Sequence, residues 1–275
     1  MGEHGSLQFP DAPMLATTDP EVQRLRAAVA AKLIGTAAIP VRVGRFIIVE
    51  RVGAGAMGVV YAAYDAELDR KVAIKVLRPS GDDSGLRLRL VREAQAMARL
   101  SDPNVVGVFE IGEHDGNGFV AMEFVRGSTL REWLAAAKRS PSAILGAYVQ
   151  AGRGLAAAHV AGIVHRDFKP DNVLVDAELD AQGAPRVRVT DFGLAQTGAL
   201  SEAATSLTSG AMPSDLLVTR AGVRVGTPGY MAPEQILGEP TDARSDQFAF
   251  CVALWEALAG ERPFAGKSAS QVFEQ

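Results

Sequence analysis

One cysteine in 275 residues, Cys251, leaves no internal disulfide framework to hold the chain together and fits a reducing compartment. Basic charge is not in excess either: 28 Lys and Arg against 32 Asp and Glu give a net charge of −4, whereas a general nucleic-acid binder presents a basic surplus. No run of about 18 apolar residues occurs, and Met1 to Pro10 shows no cationic stretch followed by an apolar one, so a soluble, cytoplasmic protein without a membrane segment is expected. What remains is 48% hydrophobic and 22% charged. At this length such a composition buries a large core, as one large domain or two lobes, and excludes a disordered tail.

Polar chemistry concentrates in two places. Val164-His165-Arg166-Asp167-Phe168-Lys169-Pro170-Asp171-Asn172-Val173-Leu174-Val175 and Val189-Thr190-Asp191-Phe192-Gly193 each set a polar cluster between apolar, strand-like runs. Asp167, Lys169, Asn172 and Asp191 supply two carboxylates, an amide oxygen and an ammonium, which suit hard cations and phosphate oxygens. No cysteine or second histidine lies close enough to make a soft-metal site.

Along the chain, residues 1–20 carry Gly, Pro, Thr and Asp without periodicity and read as a flexible leader. Within 21–40, Val22, Leu25, Val29 and Leu33 recur at helical spacing after Asp19-Pro20, an amphipathic helix expected to pack on the neighbouring lobe. Phe46 to Val52 is a β-branched run that enters Gly53-Ala54-Gly55-Ala56-Met57-Gly58 and leaves through Val59-Val60-Tyr61: strand, glycine loop, strand. Such glycines let a backbone approach a polyphosphate. The rival, a dinucleotide-binding turn, requires a helix directly after the glycines, and a strand stands there instead. Lys71 to Leu77 is a further strand whose apolar members bracket Lys75, a position that by itself also suits a solvated edge residue. Leu86 to Leu100 reads as a helix holding Glu93 and Met97 on one face, and Val105–Ile111 and Gly118–Phe124 read as strands. Thr129 with Glu132 forms a capping-box signature, and Ser142 to His159 is a long helix, with His159 structural. Phe192 to Ala232 is too long and unpatterned for an ordinary connection. Asp246 to Ala259 is apolar nearly all round, which predicts a helix buried on every side with Cys251 as core packing.

The ordered set of glycine hairpin, strand lysine, helix glutamate, His-Arg-Asp loop, Asp-Phe-Gly and Gly226-Thr227-Pro228-Gly229-Tyr230-Met231-Ala232-Pro233-Glu234 resembles the catalytic domain of eukaryotic-type bacterial serine/threonine protein kinases. The resemblance spans about Arg45 to Phe264 and departs at Asp102, where His precedes Pro-Asn in the family. It implies an α+β, bilobal fold: a kinase domain over 41–275, with a small antiparallel-sheet lobe at 45–125 and a larger, mostly helical lobe at 126–275. It further implies that Asp167 accepts the hydroxyl proton, that Lys169 neutralises the γ-phosphate, and that Lys75, paired with Glu93, contacts the α- and β-phosphates. By the same resemblance Asn172 and Asp191 hold Mg²⁺, with Mn²⁺ as the alternative ion. ATP would lie against Gly53, Gly55 and Gly58, its adenine between Val52, Val60, Ala73 and Leu174 and bonded to the backbone of Glu123 and Val125. Thr227 and Lys169 resemble Ser/Thr rather than Tyr specificity. Arg166 would meet a phosphorylated loop residue, with Thr219 the best-placed acceptor. The implied partners are ATP and a protein bearing Ser or Thr, not nucleic acid, with self-association as a route to autophosphorylation. A pseudokinase or scaffold would lack one of Lys75, Glu93, Asp167, Asn172 or Asp191, and none is missing. Because the family's large lobe carries further helices, the resemblance also implies a domain that is incomplete at Gln275 and unstable alone, with Glu234 lacking its arginine partner unless Arg262 replaces it.

Overall fold

Alternating β-branched residues and tight turns build the first half of the chain. The computed structural model describes residues 20, 22–27, 40–55, 58–77, 96–179, 183–192 and 228–264. Six strands, β1 (Arg42–Val43), β2 (Phe46–Gly55), β3 (Gly58–Asp65), β4 (Arg70–Leu77), β5 (Val108–His114) and β6 (Asn117–Glu123), form an antiparallel sheet in the order β1-β2-β3-β4-β6-β5. One sheet face closes a core of Val43, Phe46, Tyr61, Val72, Ile74 and Phe119, in which Phe46 and Phe119 meet edge to face with centroids 6.0 Å apart. Gly58 opposes Gly55 across the hairpin, and a Cβ at Gly58 would come 2.1 Å from the Val76 carbonyl, so only glycine allows β3 to lie so close to β4.

The second half begins with a three-stranded sheet, β7 (Gly127–Thr129), β8 (Val173–Leu179) and β9 (Pro185–Val189), and continues in helices α1 (Leu130–Ala136), α2 (Pro141–Val160), α3 (Pro233–Leu237) and α4 (Ala243–Ala259). Thr129 caps α1: its hydroxyl accepts from Glu132 N while the Glu132 carboxylate accepts from Thr129 N, the box read from the sequence. Ser140 caps α2 and Pro141 starts it. The largest core lies here, with Leu130, Tyr148, Leu155, Phe168, Val173, Val187 and Val252 in one cluster. Gly154 is needed on α2 because a Cβ would come 2.3 Å from the Asn104 carbonyl.

Two expectations change. The strand expected to start at Val105 starts at Val108, because residues 104–106 pair with β9 instead: Val189 N donates to Asn104 O at 2.8 Å and Val106 N to Val189 O at 2.9 Å. Helix α4 is not buried on every side. Its Ala249, Val252 and Ala253 are buried, whereas Cys251 is exposed, Trp255 is 55% exposed and Leu258 47%. The physical reason is one-sided packing: α2 and the turn at Pro228–Tyr230 cover one face, and Cys251, Trp255 and Leu258 follow one another at helical spacing on the other. Nor does Arg262 replace a partner for Glu234, because Arg262 pairs with Glu256 and Glu234 accepts from Ser245 Oγ at 2.5 Å.

Residues 22–27 are helical, as are 96–99, in keeping with the two helices expected there. Glu93, Thr219, Thr227, Gly193, the 1–19 leader, residues 28–39 and the loop expected over 193–227 lie outside the described residues.

Candidate active site

Strand β4 places Lys75 between Val60 of β3 and Val120 of β6, so a long cationic side chain is held with 3% exposure where the first sheet meets Asp191. Its ammonium lies 2.8 Å from Asp191 Oδ1. Burial pushes the Asp191 carboxyl upward, but the charge of Lys75 and its hydrogen bond outweigh that cost, and the group sits below the ordinary carboxylate value. Asp191 therefore remains an anion with oxygen ligands to offer. Asp191 and Arg166 both take left-handed backbone conformations, with φ 61 and φ 64. For residues with side chains this costs of order 1 to 3 kcal/mol each and recurs where function over-determines the chain.

The loop between α2 and β8 gathers the other polar groups. Asp167 Oδ2 accepts from Lys169 Nζ at 2.8 Å and from Asn172 Nδ2 at 3.2 Å, and Asn172 Nδ2 also donates to the Asp167 carbonyl at 2.8 Å. With its nitrogen turned toward Asp167, the Asn172 amide carries its oxygen on the opposite side. Asp167, Asn172 and Asp191 thus offer hard oxygen donors of two kinds, carboxylate and amide, which fit Mg²⁺ or a similar divalent cation better than a soft metal. Gly53 and Gly55 leave open space where a Cβ would stand, as a backbone that approaches phosphates requires.

Behind these groups, Ala73, Val125 and Leu174 pack with Val106, Val120 and Met122 in one apolar cluster. Of the adenine-facing residues named from the sequence, Ala73 and Leu174 meet there, while Val52 stands apart on β2 and is 58% exposed. Glu123 N donates to Gly107 O at 2.8 Å, so this backbone nitrogen is engaged within the protein. Arg188, 5% exposed, reaches Glu123 Oε1 at 3.4 Å and Asp176 Oδ2 at 3.1 Å, and so braces the end of β6 against β8.

Sequence reading missed the group that holds the polar loop. Asp246, 1% exposed in α4, accepts from the backbone nitrogens of His165 and Arg166 at 2.7 Å each and from His159 Nε2 at 2.7 Å. The available signal was a carboxylate in the first turn of a mostly apolar helix, a residue type that is buried only when partnered. His159 is structural, as expected. His165 is fully buried against Phe168 and Phe192. Its Nε2 donates to Thr190 O at 2.9 Å while Nδ1 accepts from Asp167 N at 3.3 Å, which defines one neutral tautomer.

Burial lowers the His165 pKa, against the raising influence of Asp246 and Asp167. A base whose folded pKa lies below its unfolded value of about 6.5 binds fewer protons in the folded state, so stability rises with pH across the interval between them. The melting temperature is expected to fall from pH 7 toward pH 5, and to fall less steeply in His165→Gln. Scanning fluorimetry across that range checks this, and parallel profiles for the two proteins would refute it.

Compared with known proteins, residues 46–275 match the protein kinase domain family. The chain is 37% identical over 224 residues to the serine/threonine-protein kinase pkn2 of Myxococcus xanthus, covering 81% of this chain and 25% of that protein. It is 37% identical to PknL of Mycobacterium tuberculosis, covering 84% and 53%, and 36% identical to PrkC of Bacillus subtilis, covering 83% and 32%. It spans a quarter to about half the length of these relatives. Among solved structures, the kinase domain of Mycobacterium tuberculosis PknI superposes with a TM-score of 0.62 at 28% identity, over 84% of this chain and 80% of that one.

Proposed function

The chain belongs to the protein kinase domain family, and on that footing we propose that it moves the γ-phosphate of ATP to serine and threonine hydroxyls of proteins. The observation that carries this is a pair of polar groups, Lys75 on Asp191 at 2.8 Å and Asp167 with Lys169 and Asn172 at 2.8 and 3.2 Å, whose two loops are joined by Thr190 N donating to Asn172 O at 3.0 Å. Phosphoryl transfer asks mainly for positioning and charge neutralisation. A divalent cation, when bound, would offset the phosphate charge; we take it to be Mg²⁺, with Mn²⁺ as the alternative. In this reading Asn172 and Asp191 hold the cation. Lys75 turns from Asp191 to the α- and β-phosphates, with Glu93 as its expected helix partner. Asp167, whose Oδ2 is engaged by Lys169 and Asn172, takes the hydroxyl proton at Oδ1. Lys169, already beside that carboxylate, follows the charge onto the γ-phosphate. Gly53, Gly55 and Gly58 give backbone N–H groups to the phosphates, and Val52, Val60, Ala73 and Leu174 take the adenine.

The serine/threonine preference rests on Lys169, Thr227 and the relatives' names. A non-catalytic scaffold is disfavoured because each acid, amide and lysine that the transfer needs is in the sequence. No described helix is long and apolar enough to cross a membrane. Incubation with radiolabelled ATP, Mg²⁺ and a generic basic protein tests the reading; label on the protein supports it, and its absence across Mg²⁺ and Mn²⁺ overturns it.

Regulation centres on Arg166, which precedes Asp167 and is proposed to pair with a phosphorylated loop residue through charge-assisted bonds. Mass spectrometry after incubation with ATP is expected to find phosphate on Thr219, in a reaction whose rate depends on protein concentration if two copies act on each other. An active enzyme unmodified at Thr219 would refute the assignment.

A further inference from the structure

Five side chains from four segments meet in a charge-compensated cluster that the transfer chemistry leaves unused. Arg131, in the first turn of α1, donates from Nε to both Asp171 oxygens at 2.9 Å and from Nη2 to the Tyr230 hydroxyl at 2.6 Å. That hydroxyl donates in turn to Glu256 of α4. Arg262, just beyond α4, donates to Glu256 Oε1 at 3.1 Å and lays its guanidinium over the Tyr230 ring, 4.7 Å from the centroid. A Cβ at Gly229 would come 2.7 Å from Arg262 Nη1, so the glycine leaves room for the guanidinium where it now lies. Two cations and two carboxylates balance. Tyr230 is 3% exposed, and burial together with its bond to Glu256 raises the phenol above its ordinary value, so it remains a proton donor.

The cluster's position gives it meaning. Asp171 stands between Lys169 and Asn172 in the transfer loop, and Tyr230 belongs to the Gly226–Glu234 segment, which resembles the peptide-docking loop. Arg131 is the bridge, since one guanidinium grips both loops. A bidentate ionic contact fixes direction as well as distance, which apolar packing does not. Resting on the kinase reading above, we infer that Arg131 and Tyr230 are positioning residues for the protein substrate: they hold the docking loop in register with the loop of Asp167, so that the acceptor hydroxyl arrives beside that carboxylate.

The test uses the full chain and a synthetic peptide of its residues 210–226, which contains Thr219. Arg131→Gln and Tyr230→Phe are expected to raise the peptide KM about tenfold, which corresponds to about 1.4 kcal/mol, with the ATP KM within about twofold of wild type. By direct titration, both variants should also bind about tenfold more weakly to the same peptide with its threonine replaced by alanine, a readout that needs no turnover. Arg131→Lys, which keeps charge but not the bidentate fork, should recover only part of the loss. Because Arg131 acts through Asp171, Asp171→Asn added to Arg131→Gln should cost little more than either alone. Unchanged peptide affinity, or an equal loss of nucleotide affinity, would overturn the inference. The kinase reading is judged separately, by phosphate transfer in the wild type.

Discussion

Asp167→Asn is expected to lower turnover by about 10²- to 10⁴-fold while nucleotide affinity changes little. The carboxylate is 10% exposed and bonded by Lys169 and Asn172, but it is itself assigned to the acceptor hydroxyl and not to the nucleotide or its cation. Asparagine keeps the shape and an acceptor oxygen for both, so the loop geometry survives and only the basic lone pair is lost. Steady-state kinetics at saturating and limiting ATP separate the two constants. Wild-type turnover in the variant would remove Asp167 from the mechanism.

Asp191→Asn should act on the nucleotide instead, raising the KM for Mg-ATP by at least about tenfold, or about 1.4 kcal/mol. Two effects converge. The variant loses an anionic ligand for a hard cation, and it loses the counter-charge that now lies 2.8 Å from the buried Lys75. The two separate by titrating Mg²⁺: a metal defect is partly repaired at higher Mg²⁺, whereas a misplaced Lys75 is not. Nucleotide binding that equals wild type at every Mg²⁺ concentration would dismiss Asp191 as a ligand.

Local patterns proved the most readable. Alternation around Lys75 marked β4, Thr129 with Glu132 marked the start of α1, and the glycine hairpin was separable from a dinucleotide turn by the strand after it. The places where reading fell short depend on partners far away in sequence. Val105 has strand chemistry, yet its segment bonds to Val189, more than 80 positions on, instead of extending β5. Helix α4 looked uniformly apolar because composition does not say how many neighbours arrive, and Cys251 and Trp255 ended outside. Asp246, which secures the backbone of His165 and Arg166, and Arg131, which joins Asp171 to Tyr230, lacked a motif of their own. Their roles arise only when segments 80 to 100 residues apart are brought together.

The bonds between residues 104–106 and β9 carry a mechanical consequence. Among the described residues, backbone hydrogen bonds fasten the segments that flank the first sheet to the second sheet at two places: at Asn104 and Val106, through Val189, and at Arg126, whose carbonyl accepts from Ala177 N at 2.7 Å. A plate pinned at two points rocks about the line that joins them. Parts near that line scarcely travel, whereas remote parts sweep a wide arc. Val120 and Met122, packed against Val106, sit close to the axle, and Lys75 lies on the strand beside them. Gly55 and Gly58 stand at the ends of β2 and β3, which lie two places and one place beyond the strand of Lys75. A small rotation about that line would displace β2 and β3 more than Lys75, so the ion pair of Lys75 with Asp191 would survive a rocking that the outer strands feel strongly.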